Sequence, residues 1–173
     1  MWRLKAPFVF ALTPERCSMS AEKNQVVCME NVQRYYGANP ELLAKYEQTV
    51  LSGECPFCDP YIKNDFVDST MHWHVVHNQF PYKYPDGEPV RLHLLVIPRR
   101  HLIRLDELLV DEWAGLSQVM QIVRRRFPFV PEGFGLGIRS DKVGGVTLYH
   151  LHAHIIVPQI GRDGQKPIGF GIG

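Results

Sequence analysis

Residues 150–154 read His-Leu-His-Ala-His, and no other segment constrains the chain as much. In an extended strand successive side chains point to opposite faces, so we expect His150, His152 and His154 to share one face. The apolar residues between them should face a core, and the apolar run Ile155–Val157 continues the same strand. A structural histidine usually occurs alone, so three imidazoles on one face indicate a chemical role.

Two chemical roles are open for these three histidines. They could hold a catalytic zinc ion, because neutral imidazole is the commonest metal ligand. Alternatively, one of them acts as a nucleophile while its neighbours orient it. Imidazole titrates near neutrality, so a useful fraction is unprotonated and can attack without a strong base.

Length and charge exclude some classes of function. The 173 residues are enough for one domain with a hydrophobic core. The net charge of +1 gives no reason to expect stable nucleic-acid binding, and no apolar run is long enough to cross a membrane. A faint signal-peptide pattern near the start is interrupted by Pro7, so we expect a cytoplasmic protein.

The cysteines are not spaced like a disulfide framework. Cys55 and Cys58 form a Cys-x-x-Cys pair, whereas Cys17 and Cys28 are isolated. Without a convincing export signal, such a pair is typical of a metal-binding or redox-active site. All eight histidines lie within residues 72–154, so we expect the chemistry there.

The organisation of the chain follows from periodicity. We expect an N-terminal extension of uncertain order at residues 1–38, followed by one domain at residues 39–173. Asn39 before Pro40 is typical of a helix start, and apolar spacing predicts a short helix over Glu41–Leu51 that Gly53 can end.

The remaining elements predict an antiparallel α+β sandwich. Apolar residues at helical spacing predict one long helix over Leu105–Phe127, with acidic residues early and arginines late as the helix dipole favours. Phe80–Pro89 is rich in Pro, Gly and Tyr, which predicts a long loop, and we expect a flexible tail at residues 161–173. The strands that we can place are Trp73–Val76, Leu92–Ile97, Gly135–Ser140 and Tyr149–Val157.

The segment His150–Ile156, with Gly145 and Thr147 before it, resembles the signature of the histidine triad (HIT) superfamily, His-φ-His-φ-His-φφ. Three further segments are similar to family segments in the same order: Cys55–Cys58, Asn78–Tyr82 and Leu92–His101. The resemblance covers about residues 55–160. It implies a HIT-like fold, with a five-stranded antiparallel sheet, one long helix and a short N-terminal helix.

The resemblance also implies an enzyme, either a nucleotide hydrolase or a nucleotidyl transferase. In the family the middle histidine, here His152, attacks an α-phosphorus and forms a nucleotidyl-histidine intermediate. His154 and His93 match positions that line the phosphate site. Thr147 falls where many members carry a side chain that assists the leaving group, and Asn78 matches a position that contacts the ribose. The substrates implied are dinucleoside polyphosphates or nucleoside phosphoramidates.

A separate metal site is implied by the zinc-containing branch of the family. Cys55, Cys58, His101 and His150 match its four ligands. A closed Cys₂His₂ set makes a structural rather than a catalytic Zn²⁺ site. His72, His74 and His77 match nothing in the family pattern, and we interpret them as structural or rim residues.

The chain departs from the family pattern at three places. The 14 residues Gln79–Leu92 separate Asn78 from His93, about twice as many as in many members. Arg139 stands where some members carry an amide near the phosphates, and a cation there could favour a longer polyphosphate. His154 stands where the distant uridylyltransferase branch has glutamine, which argues against transfer to a sugar phosphate.

Two other hypotheses remain beside the enzyme. One is a zinc-stabilised nucleotide-binding module with little turnover, and the other is a metal-dependent hydrolase that uses the triad as ligands. Members of the family usually form homodimers through the long helix and an edge strand. Trp113, Leu116 and Met120 offer an apolar surface for this, so we expect a homodimer.

Overall fold

A computed structural model describes residues 25–58, 65–130, 133–161 and 169–170. The expected N-terminal extension therefore lies outside the described residues up to position 24. The expected flexible tail lies outside them except for Gly161, Gly169 and Phe170.

Five antiparallel strands form one sheet in the order β1-β2-β3-β5-β4, which confirms the predicted α+β class and the HIT-like sheet. The strands are β1 Phe66–Ser69, β2 Trp73–His77, β3 Leu92–Pro98, β4 Gly135–Ile138 and β5 Ala153–Val157. The sequence analysis did not predict β1, which lies at the edge of the sheet, with Phe66 exposed and its other three residues partly buried.

One face of the sheet packs on a helix, α3 Val110–Arg126, and forms the main core. The strand residues of this core alternate with the site residues along β3 and β5, as the period of two requires. They include Leu94 and Ile155, both 0% exposed, and Leu151 just before β5, at 1% exposed, joins the same core. The residues between the triad histidines therefore face the core as predicted.

The opposite face of the sheet is partly covered by two short helices, α1 Met29–Tyr36 and α2 Pro40–Ser52. In α2 the Asn39 side chain accepts a hydrogen bond from the Leu42 amide at 3.1 Å, and Gly53 ends the helix with φ of 66°. Both ends of this helix confirm the prediction. The sequence missed α1, although Val32 of that helix is fully buried in the second apolar cluster.

The long helix begins five residues later than predicted. Leu105–Glu107 form a separate 3₁₀ turn, because the Glu107 carboxylate accepts the Ile103 and Arg104 amides at 2.9 Å. Leu108 and Leu109 are extended, and the Glu112 carboxylate accepts the Leu109 amide at 2.8 Å at the start of α3. Two acidic caps therefore divide the segment. Across the described ranges, no helix has the length and apolarity that a membrane span requires.

The last strand is also shorter than predicted, because its ladder begins at Ala153 and not at Tyr149. The Tyr149 amide donates to the Val26 carbonyl at 2.8 Å, and the Leu151 amide donates to the Leu102 carbonyl at 2.6 Å. These bonds join the segment to two loops rather than to a neighbouring strand. His150 and His152 therefore precede β5, and of the three histidines only His154 lies within it.

Candidate active site and metal cluster

A cavity of about 220 Å³ lies on the face of the sheet that α1 and α2 partly cover. Its walls come from α2, from the loop after β2 and from the segment that leads into β5. His152, His154, Thr147, Asn78 and Arg139, all predicted site residues, line it. Apolar walls with a few convergent polar groups make this cavity a candidate small-ligand site.

His152 is held in one orientation by the backbone. Its Nδ1 lies 2.8 Å from the His150 carbonyl oxygen, so Nδ1–H donates to that oxygen. The neutral ring then carries its lone pair on Nε2. Burial is the main cause that lowers the pKa of His152 to about 4. The site therefore holds an unprotonated imidazole nitrogen at neutral pH.

His93 and His154 form a directed hydrogen-bond chain. The Tyr82 amide donates to His93 Nδ1 at 3.1 Å, so neutral His93 carries its proton on Nε2. That proton is donated to His154 Nδ1 at 2.9 Å. His154 in turn keeps its proton on Nε2, a buried atom without a hydrogen-bond partner among the described atoms. The chain thus ends in an N–H donor on a residue that lines the cavity.

Thr147 and Asn78 are held at the cavity by neighbouring polar groups. The Thr147 hydroxyl lies 2.9 Å from the Tyr46 hydroxyl of α2. Asn78 Oδ1 accepts a hydrogen bond from the Phe80 amide at 3.0 Å. This orients Asn78 Nδ2 toward the His93 ring, 3.3 Å from its Nδ1. Both side chains are therefore oriented before any ligand binds.

Arg139 brings a cation to the same cavity, although it is only 6% exposed. Its guanidinium donates to the Tyr82 hydroxyl at 2.8 Å and lies over the Tyr35 ring, with its Cζ 5.4 Å from the centroid. Its charge is one of the causes, after burial, that lower the pKa values of His93 and His154. The cation therefore helps to keep both imidazoles neutral.

The second predicted group also comes together, beside His152. The donor atoms of Cys55, Cys58, His101 and His150 all lie within 4.8 Å of one another. Cys58 Sγ is 3.1 Å from His101 Nδ1 and 3.7 Å from His150 Nδ1. Tetrahedral Zn²⁺ with ordinary bond lengths places sulfur and nitrogen ligands about 3.6 Å apart, so these spacings fit such an ion.

The protonation of the cluster also suits a metal. The hydrogen bond from Cys58 is the main cause that holds the pKa of the Cys55 thiol far below its usual range. His150 Nε2–H donates to the Pro98 carbonyl at 2.9 Å, which leaves the Nδ1 lone pair directed at the cysteines. Among the residues that the structure describes, these four form the group whose possible metal-ligand atoms lie close together. His152 and His154 do not belong to this group.

Residues 87–160 match the HIT domain family. A HIT-like protein of Chlamydia muridarum is 32% identical over 77 residues, which are 43% of this chain and 58% of that protein. The chain thus spans about three fifths of the length of this curated relative. The match contains the two histidine segments whose geometry is described above. Residues 87–160 of the chain belong to the histidine triad superfamily.

Two solved HIT structures share the fold. The histidine triad nucleotide-binding protein of Candida albicans superimposes with a TM-score of 0.51 at 16% identity, over 69% of this chain and 79% of that one. The Zn-bound histidine triad family protein of Mycobacterium smegmatis gives 0.50 at 22% identity, over 68% and 83%. At these identities the likeness concerns the fold alone.

Several residues that shape this HIT site were not predicted from sequence. Tyr46 and Lys45 reach the cavity from α2, and Tyr36 reaches it from the end of α1. Phe57 packs edge-on against His152, with ring centroids 5.1 Å apart. A signal existed for Phe57, since it lies inside the Cys-x-x-Cys loop. The tyrosines give no local signal because only the folded chain brings the two helices over the sheet.

Of the two histidines in β2, His77 lines the cavity and His74 does not. His74 is 4% exposed, and its Nδ1 has no hydrogen-bond partner in the described part of the chain. Burial, then the charge of Arg99, lowers its pKa to about 4. His77 is exposed at the strand end and lines the cavity mouth. The interpretation of these residues as structural or rim positions agrees with this geometry.

Buried neutral histidines should make the HIT fold sensitive to acid. His74 and His93 each have a folded pKa of about 4, against about 6.5 in the unfolded chain. The unfolded state therefore binds more protons between these values, and stability should be complete above pH 6.5 and fall toward pH 4. We expect urea midpoints that decrease over pH 7.5, 6.5, 5.5 and 4.5.

A matched pair of variants checks the cause. His74→Gln should reduce the number of protons bound on unfolding by about one and so make the pH dependence of stability less steep. His77→Gln, an exposed change on the same strand, should leave this pH dependence unchanged. Equal urea midpoints at pH 7.5 and 4.5 in the unmodified protein would contradict the argument.

Proposed function

We propose that the chain is a nucleotide hydrolase or nucleotidyl transferase that reacts at an α-phosphorus through His152. The observation that carries the proposal is the fixed tautomer of His152, whose Nδ1–H is bound to the His150 carbonyl. Nε2 is then the nitrogen that can attack. A similar protein supports this class, since the Candida albicans structure is that of a histidine triad nucleotide-binding protein.

The cavity supports a nucleoside on one side of His152. Leu42, Leu95 and Phe80 give it apolar walls, and Asn78 supplies an amide for hydrogen bonds to a sugar. Lys45 lies with its Nζ 5.0 Å from the Phe80 ring centroid and is hydrogen-bonded to Gln79 at the rim. We assign this side to the base and ribose.

The first step forms a bond from His152 Nε2 to the phosphorus and breaks the bond to the leaving group, which departs with the electron pair and takes a proton from water. Negative charge on the non-bridging oxygens is stabilised by the His154 Nε2–H donor and the Arg139 cation. The Thr147 hydroxyl, held by Tyr46, is placed to donate to the leaving group.

In the second step an oxygen acceptor attacks the same phosphorus, and the bond to His152 breaks with its electron pair returning to Nε2. Water as acceptor gives a mononucleotide and releases one proton, which makes the enzyme a hydrolase. A hydroxyl compound gives a transferase. In-line positioning of the acceptor supplies much of the rate.

We further propose that Cys55, Cys58, His101 and His150 hold a structural Zn²⁺. The spacing and protonation of the four donors fit that ion. A bound ion would join the Cys-x-x-Cys loop to the segment before β5. Since the carbonyl of His150 orients His152, the ion would stabilise the nucleophile's position and take no part in either step.

A homodimer is the third part of the proposal. Strand β4 lies at the end of the sheet order, and Leu136 on it is 52% exposed. Trp113 on α3 is 44% exposed. These apolar side chains on an edge strand and on the long helix suit a two-fold interface.

Replacement of the nucleophile tests the central claim. His152→Ala should lower mononucleotide release at least about a thousandfold, because no other group can form the intermediate without moving by several ångströms. Release would be measured with a panel of nucleoside phosphoramidates and dinucleoside polyphosphates. His72→Ala is the control, since this partly exposed histidine does not line the cavity.

The intermediate itself can be trapped. A brief reaction with labelled substrate, stopped in alkali, should leave label on the unmodified chain, because a phosphorus–nitrogen bond to histidine survives base and breaks in acid. His152→Ala should carry no label. Turnover of His152→Ala near the normal rate would show that His152 is not the nucleophile.

Metal content tests the cluster without reference to turnover. We expect about one zinc ion per chain by elemental analysis, and its loss in Cys55→Ser Cys58→Ser. That variant should also have a lower urea midpoint, because the binding free energy of a structural metal is part of the folding free energy. Cys28→Ser, a buried cysteine outside the cluster, should keep its zinc. Unchanged stability after zinc removal would contradict a structural role.

The assembly is tested by mass. Light scattering at micromolar concentration should give twice the mass of one chain. Trp113→Lys should shift the protein toward monomer, because a charge would be buried in the interface. A monomer mass for the unmodified protein would exclude this dimer.

A further inference from the structure

Phe170 reaches the histidine site from outside the family match, which ends at residue 160. Its ring centroid lies 5.3 Å from that of His154, at an interplanar angle of 73°, and 6.4 Å from that of Tyr82. The Arg139 Cζ is 4.3 Å from the same centroid. A residue near the C-terminus thus contacts three groups at the phosphate end of the cavity.

A glycine in β4 makes room for this ring. Gly137 pairs with His154, so a side chain at 137 would point to the same face as the His154 imidazole. A Cβ at Gly137 would lie 2.7 Å from the Phe170 ring, closer than such atoms approach. At Gly135, two residues earlier on the same face, the nearest atom to a Cβ is 3.9 Å away.

The ring completes an aromatic enclosure around Arg139. The guanidinium lies over the rings of Phe170 and Tyr35 and donates to the Tyr82 hydroxyl. A cation over an aromatic face is bound more strongly when water is excluded, and Arg139 is 6% exposed. His154, which the same ring covers, is 4% exposed. Phe170 therefore contacts both of the groups that we propose to stabilise the negative charge of the phosphate.

We propose that Phe170 is a positioning residue of the phosphate site, which holds the Arg139 guanidinium and the His154 imidazole in place and keeps water from them. The proposal rests on the function proposed for His152. Phe170 acts through Arg139 and His154 and takes no part in bond making. An aromatic ring is required, because an aliphatic side chain of similar size would exclude water but would not attract the cation.

Two independent changes remove the ring from the site. Phe170→Ala deletes it, and Gly137→Ala displaces it by steric conflict. Both should lower kcat/KM for a dinucleoside polyphosphate at least tenfold, with weaker binding of AMP in calorimetry. Phe170→Leu should give an intermediate loss. Gly135→Ala is the matched control, with kcat/KM within twofold of the unmodified protein.

A double-mutant comparison separates positioning from general destabilisation. If Phe170 acts mainly through Arg139, then Phe170→Ala should lower kcat/KM by a much smaller factor in the Arg139→Gln background than in the unmodified protein. Equal losses in both backgrounds would overturn this coupling. Urea midpoints of Phe170→Ala and Phe170→Leu within a few tenths molar of the unmodified protein would show that the fold is retained.

A spectroscopic readout tests the placement without turnover. The ring current of Phe170 should displace the Arg139 Nε–H resonance upfield, and both Phe170→Ala and Gly137→Ala should abolish the displacement. An undisplaced resonance, or kcat/KM of Phe170→Ala within twofold of the unmodified protein, would overturn the proposal. If the unmodified protein turned over no nucleotide at all, the proposed function would fail, whereas this resonance and the AMP affinity would still decide the role of Phe170.

Discussion

His150 connects the cluster of Cys55, Cys58, His101 and His150, the proposed zinc ligands, to His152, the proposed nucleophile, through three hydrogen-bonding groups of one residue. Its Nε2–H is bound to the Pro98 carbonyl, its Nδ1 faces the cysteines, and its own carbonyl accepts the His152 Nδ1–H. The side chain therefore anchors the backbone whose oxygen selects the His152 tautomer. His150 is fully buried and closely packed, so it has no free space into which it can move independently. A shift of the Cys-x-x-Cys loop would therefore move His150 and, with it, His152.

The two faces of the sheet divide structure from chemistry. Leu151 and Ile155 are buried against α3, while the histidines between them project toward α1, α2 and the loop after β2. A register slip of one residue in β5 would exchange the two sets and leave imidazoles in the apolar core. The pairing of His154 with Leu95 and Gly137 is thus required by the core as well as by the site.

Local pattern indicated the three histidines and the Cys-x-x-Cys pair, the resemblance to the family supplied the other candidate site residues, and neither predicted the residues that surround them. Alternation on a strand identified the triad, and an Asn39–Pro40 cap located α2, because both are properties of neighbouring residues. The predicted start of α3 was wrong because the apolar spacing runs without a break through two separate helical segments. The carboxylates of Glu107 and Glu112 each cap one of these segments. Tyr46 and Phe170 were not predicted, since their site contacts join residues that are distant in sequence and follow no periodicity.

Electrostatics explains why Arg139 can lie beside the three neutral imidazoles of His93, His152 and His154. Burial already favours the neutral imidazoles, and the Arg139 charge disfavours their protonation further. The arginine itself is surrounded by neutral aromatic and hydroxyl groups that attract a cation without donating charge to the site. A carboxylate in that place would raise the histidine pKa values and repel a phosphate. The aromatic enclosure therefore keeps one positive charge at the cavity, while His152 stays unprotonated, as the proposed attack on phosphorus requires.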